Sequence, residues 1–256
     1  MDGETASSTG TDAPDTNADR GYPRLWAVAV AIVLTVAALA LSTVLTLVTA
    51  GLLMVTLDLS LEEVFATSST VVFATLLIAT QLGFLLTGLA YTWARSFSVP
   101  IAVPDGRDLL YAVGGALVAL VAAGALLYVA DLLGVTPEAV LDEEVALNEE
   151  VLIVLAVLSI LIVAPAEEYL FRGVVQGRLR TVMGPVGAIV GASLVFGGMH
   201  AFNYVGLQSV VVGVLLISSV SLVFGYIYEQ TDNLTVPVVA HAVYNVILAA
   251  GTYVAL

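Results

Sequence analysis

The stretch V-L-I-V-L-A-V-L-S-I-L-I-V-A-P-A-E-E-Y-L-F-R, residues 151–172, decides how the whole chain is read. Its first thirteen residues are almost entirely apolar, and with their neighbours they reach the roughly 20 residues a helix needs to cross a bilayer core. Glu167, Glu168 and Arg172 then follow, at a depth where a membrane helix is still running. Ionisable side chains inside a membrane are costly, face the protein interior and mark positions with a function and a partner. Glu168 and Arg172 are four residues apart with the acid on the N-terminal side, the orientation that favours a helical ion pair. Glu167 is five residues from Arg172, about 140° around the helix, so it points elsewhere. The spacing predicts a structural Glu168 and a Glu167 left free for chemistry.

The rest of the chain has the same character. It is 60% hydrophobic and 11% charged, and its mean hydropathy of +1.04 lies far outside the range of soluble domains. Several apolar runs are long enough to span, and lipid-exposed backbone must satisfy its own hydrogen bonds, so the fold class expected is all-α, a polytopic bundle of about seven (7–8) transmembrane helices. The bilayer is a partner by composition, and nothing points to nucleic acid. Cysteine is absent, which excludes disulfides, thiolate metal ligands and a cysteine nucleophile. Lysine is absent too, and the net charge is −14. An acidic, lysine-poor surface of this kind suits a high-salt cytoplasm.

Three regions are expected: a disordered acidic tail over 1–24, transmembrane helices over 25–133, and a catalytic membrane core over 134–256. The first helix runs from Trp26 to about Val55, too long for a signal-peptide core. Ser60-Leu61-Glu62-Glu63 has capping-box spacing and starts a second helix reaching about Ala94. A third runs from about Asp108 to Leu133. Thr136-Pro137-Glu138 opens a short acidic amphipathic stretch, and Asn148 caps a fourth helix that continues to Arg180. Met183-Gly184-Pro185 breaks the chain. The fifth, sixth and seventh helices follow over 186–200, 207–228 and from Thr235 on. Arginines precede the first helix, lie between the second and third, and lie between the fourth and fifth, while the alternate loops hold only acids. That places the N-terminus in the cytoplasm. Asn233-Leu234-Thr235 fits a glycosylation pattern by chance, at a turn expected on the cytoplasmic side.

Only two histidines occur. Phe196 precedes His200 by four residues and Asn245 follows His241 by four, each pair on one helix face. If helices four and five form a hairpin turning near Met183, Glu167 lies 16 residues before the turn and His200 17 after it. At about 1.5 Å per residue both sit ~24–26 Å from the tip, hence level, in the inner part of the membrane. His241 enters from the same side, so the three can converge. A single membrane histidine or asparagine serves equally well as hydrogen-bond glue between helices; two histidines, a spare glutamate and an asparagine at one level are harder to read that way.

Taken together, Glu167-Glu168-x-x-x-Arg172, Phe196-x-x-x-His200 and His241-x-x-x-Asn245, in order and on separate helices, resemble the three motifs of the CAAX-protease and bacteriocin-processing family, membrane endopeptidases that include the type II CAAX prenyl protease. The resemblance covers roughly residues 150–250. It implies an intramembrane endopeptidase acting on a membrane-embedded or lipidated protein or peptide. Glu167 with His200 would activate a water. His241 and Asn245 would stabilise the oxyanion, with Glu168, Arg172 and Phe196 in support. It also leaves a divalent metal such as zinc open, with Glu167, His200 and His241 as the ligand set; that use of His241 competes with the oxyanion role, and no H-E-x-x-H helix is present. Two rivals have a sequence basis. Ser193 and His241 loosely imitate a membrane serine–histidine dyad. A non-catalytic scaffold, chaperone or immunity factor could use the same helices, though it has no need of Glu167, His200, His241 and Asn245.

Overall fold

In the computed structural model the described residues are 21–65, 69–140 and 143–256. Most of the expected acidic tail lies outside them. The first helix already begins at Gly21, so residues 21–24 belong to it. Among the described residues seven helices are long and apolar enough to cross a membrane. They are Gly21–Leu57, Thr70–Arg95, Gly106–Leu132, Glu149–Arg180, Pro185–Met199 extended by a 3-10 turn His200–Asn203, Gly206–Thr231 and Thr235–Ala255. We refer to them as spans one to seven.

Local chemistry explains the starts of spans three and four. Asp105 and Asp108 form a reciprocal capping box, starting span three at Gly106, two residues before the expected start. The Asn148 side chain accepts from the Val151 amide at 3.1 Å, as expected of the cap of span four. The Ser60–Glu63 box also forms, with the Ser60 amide donating to Glu63 at 2.7 Å and the Glu63 amide donating to the Ser60 hydroxyl at 3.2 Å. It caps a separate short helix, Leu61–Phe65, and span two starts later, at Thr70. A capping box specifies where a helix begins and carries no information on how far it runs. The short helix of the acidic connection lies at Glu143–Ala146, later than Thr136. Ahead of it the chain is extended, and Ala139 pairs antiparallel with Tyr204.

Two buried clusters divide the bundle. One joins spans one, two, four and five through Ala27, Ala31, Ala38, Phe84, Phe171 and Ala192. The other joins spans three, six and seven through Ala112, Ala119, Ala123, Phe224, Val236 and Ala240. Alanines recur three, four or seven apart on the buried faces, where small side chains let helix backbones approach. Many of the large apolar residues point outward, as Leu47, Val121 and Leu161 do. That inversion is what lipid as solvent dictates.

Candidate active site

Span four is not a regular α-helix where its charges lie. Two π-helical stretches, Ser159–Val163 and Tyr169–Gln176, flank the α-helical turn Ala164–Glu168. Pro165 supplies a local cause: it has no amide hydrogen for the residue four back and its ring crowds that carbonyl, so the preceding turn widens. The result is a short rigid turn that turns Glu167 and Glu168 toward different partners, at the seam between the two clusters.

Glu168 and Arg172 are fully buried and form an ion pair of 3.0 Å, as the spacing predicts. The pair is embedded further than expected. Arg172 Nη2 donates to Ser221 Oγ of span six at 3.0 Å, and its guanidinium lies 5.2 Å from the Phe196 ring centre. The other oxygen of Glu168 accepts from His241 Nδ1 at 2.8 Å. A carboxylate can only accept, so the Nδ1 proton of His241 belongs to this bond, and Nε2 is the ring nitrogen that faces away from Glu168. It lies 3.9 Å from Glu167 Oε2. Phe224 stacks on the His241 ring with centres 5.1 Å apart.

His200 stands where span five changes from α to 3-10 helix. Its Nδ1 donates to the Phe196 carbonyl at 2.8 Å, which leaves Nε2 as the free ring nitrogen. Phe196 itself packs between the two histidines, with ring centres 4.7 Å from His200 and 6.2 Å from His241. Glu167, Phe196, His200, His241 and Asn245 all line one cavity of about 220 Å³, closed on other sides by Val163, Val220 and Phe224 among others. So the fold brings together every residue of the three motifs: five on the cavity wall, Glu168 and Arg172 directly behind it.

Two glutamines escaped the sequence reading. Gln81 of span two donates from Nε2 to Glu167 Oε1 at 3.0 Å. Gln176, fully buried, donates to the Gly225 carbonyl at 3.0 Å and to Glu229 at 3.2 Å, and Glu229 in turn pairs with Arg180 at 2.9 Å. Residues 172, 176 and 180 thus present a polar side chain at every fourth position toward Ser221, Gly225 and Glu229 of span six. The signal was available: a glutamine inside an apolar span carries the same message as a charge.

A metal can be tested against the donor set. Among the described residues no three carboxylate, imidazole or thiol groups gather closely enough to hold an ion. Glu167 Oε2 and His241 Nε2 face each other at 3.9 Å, and His200 does not close with them into a group of three ligands. The residues do not fit a three-ligand site, and no step below is routed through one. Ser193, the candidate serine nucleophile, is fully buried and is not on the cavity wall.

Comparison with known proteins bears on the same segment. Residues 149–247 match the model of a family described as Type II CAAX prenyl endopeptidase Rce1-like. The match is confined to this segment, less than half of the chain. All seven motif residues fall inside the Rce1-like match, which bears out the resemblance read from the motifs, and Gln81 falls outside it. The chain is also 34% identical over 89 residues to the uncharacterized protein YpbD of Bacillus subtilis (strain 168), a stretch that makes up 35% of this chain. It spans 41% of that relative's length. No solved structure matches.

Proposed function

We propose that the protein is an intramembrane endopeptidase that hydrolyses a peptide bond of a membrane-embedded or lipidated protein, with Glu167 as general base. The observation that carries the reading is the 220 Å³ cavity on which Glu167, His200, His241 and Asn245 converge from three spans. Glu167 takes a proton from a water also held by the free Nε2 of His200, and the water oxygen bonds to the scissile carbonyl carbon. The carbonyl oxygen becomes an oxyanion facing His241 and the Asn245 amide. His241 serves there when its ring carries both protons, one toward Glu168 and one on Nε2. Two glutamates, Arg172 and that imidazolium then sum to zero charge, the condition a cluster buried in a bundle best tolerates. Collapse of the intermediate breaks the C–N bond, and the departing amine takes the proton from Glu167. Arg172, held by Glu168 and Ser221, keeps the wall in shape.

The test is cleavage of a pool of membrane and lipidated peptides by the purified protein in bilayers, read by mass spectrometry with and without a chelator. Glu167→Gln is expected to lower turnover by about 10²–10⁴-fold, the usual worth of a positioned general base, while remaining folded. Equal products from both proteins would sink the assignment of Glu167. Loss of products with chelator would replace the metal-free mechanism.

A further inference from the structure

Gln81 sits near the middle of span two, outside the segment matched to the family. It is almost completely buried, as is Glu167, and its amide nitrogen donates to Glu167 Oε1 at 3.0 Å. Its amide oxygen has no partner among the described residues. An amide offers one donating and one accepting end, and a buried end without a partner is disfavoured. Stability alone would place leucine or methionine here. The residue is therefore oriented by a single contact, the one to Glu167.

Span two is held so that this contact is made at a defined height. A Cβ on Gly83 would collide with both the hydroxyl and the backbone of Ser42 of span one, so the two helix backbones approach closely at that point. Ser42 Oγ also donates to the Thr80 carbonyl at 2.6 Å, one residue before Gln81. On the other side, Gly88 lies against the Tyr169 ring and Thr92 hydrogen-bonds with the Tyr169 hydroxyl at 3.0 Å. Span two is thus clamped between spans one and four, with Gln81 inside the clamp.

We infer that Gln81 is a positioning residue for Glu167: it holds Oε1 from behind the cavity and leaves Oε2 as the oxygen presented to His241 and the reacting water. The inference rests on the peptidase reading above and extends it beyond the Rce1-like segment, because a residue of span two then completes the site. A glutamine suits the task better than a cation. It donates to the carboxylate without adding a charge that would hold Glu167 ionised, and once Glu167 has taken a proton the turned-over amide can accept from the acid.

The experiment compares wild type, Gln81→Met and Gln81→Asn in the cleavage assay, with kcat and KM separated. Methionine keeps the length and removes the donor; asparagine keeps the amide but is one methylene short. Both are expected to lower kcat by about 100-fold, the scale of a misplaced catalytic group, with KM within about twofold and the thermal midpoint unchanged. A second readout needs no turnover. The infrared difference between wild type and Glu167→Gln isolates the Glu167 carboxyl band, and that band is expected to shift in the Gln81→Met background. Full kcat in both variants, a rise in KM alone, or an unshifted band would overturn the inference. If Gln81→Met folds poorly, Gln81→Asn decides. Wild-type turnover that does not depend on Glu167 would instead take down the peptidase reading, a result distinct from wild-type activity that merely ignores Gln81.

Discussion

Arg172 is the residue on which most of the buried charge depends. It neutralises Glu168, reaches Ser221 across the seam and lies over Phe196. Removing one member of a buried pair leaves the other charge uncompensated, at a cost of about 3–5 kcal/mol. Arg172→Met is therefore expected to lower the thermal unfolding midpoint in detergent sharply. A variant as stable as wild type would show that Glu168 is neutral and paired only with His241. Glu168→Gln tests the other side of the network. It keeps an acceptor for His241 Nδ1 but leaves the buried Arg172 charge unpaired, so a large loss of turnover together with destabilisation comparable to that of Arg172→Met is expected in paired activity and melting measurements. The Glu168–Arg172 contact was legible in the sequence because four residues of helix fix it. The His241 contact was not, since it joins side chains 73 residues apart on different spans.

At the level of elements, the irregular span four and the loop after His200 set the shape of the site. Pro165 and the π turns around it have no reading in hydrophobic periodicity, which registers only that residues are apolar. Pro165→Ala restores a backbone donor and lets the turn tighten. It is expected to raise thermal stability while lowering turnover, because the direction of Glu167 changes; unchanged turnover would mean that the π geometry is incidental. Tyr204 packs directly on Gly213 of span six, and its backbone pairs with Ala139. A Cβ at Gly213 would meet that ring, so Gly213→Ala is expected to cost about 1–3 kcal/mol as an overpacked contact. Limited proteolysis reads the outcome, with faster cutting in the 134–140 segment if Tyr204 is displaced. Asn233 belongs at this scale too. What matches a glycosylation pattern is a buried clasp, accepting from the Ala102 and Thr235 amides and donating to Asp108, which ties span seven to the cap of span three.

For the molecule as a whole, the site lies where the cluster of spans one, two, four and five meets that of spans three, six and seven. Neither half carries both the glutamates and His241. The absence of cysteine makes the orientation directly measurable. Single cysteines at exposed Ser98, between spans two and three, and exposed Thr136, between three and four, are expected to label from opposite sides. The arginine distribution places Ser98 inside; labelling of Ser98→Cys in intact cells would reverse the topology. Net charge of −14 without lysine makes salt a second whole-molecule variable. Folded protein is expected to be lost as salt is lowered, and indifference to salt would remove the halophilic reading.

The apolar runs, their turn residues and the placement of Arg172 relative to Glu168 are local quantities, and local chemistry was enough to read seven helices, the Asn148 cap of span four and the motif residues. The short helix at Leu61 was misread as the start of span two because a cap marks a beginning and never a length. Gln81 and Gln176 were present in the sequence as polar residues within apolar spans, but what each holds depends on which helices become neighbours. That choice is made by small-residue faces such as Ala112–Ala123 and the Gly83–Ser42 contact, whose pairing no single helix specifies. Sequence by itself determined that the chain lives in a membrane and which side chains could do chemistry there. Only the tertiary structure decided that they share one cavity, because helices in lipid select partners by close packing and buried hydrogen bonds, and both exist only once the helices have met.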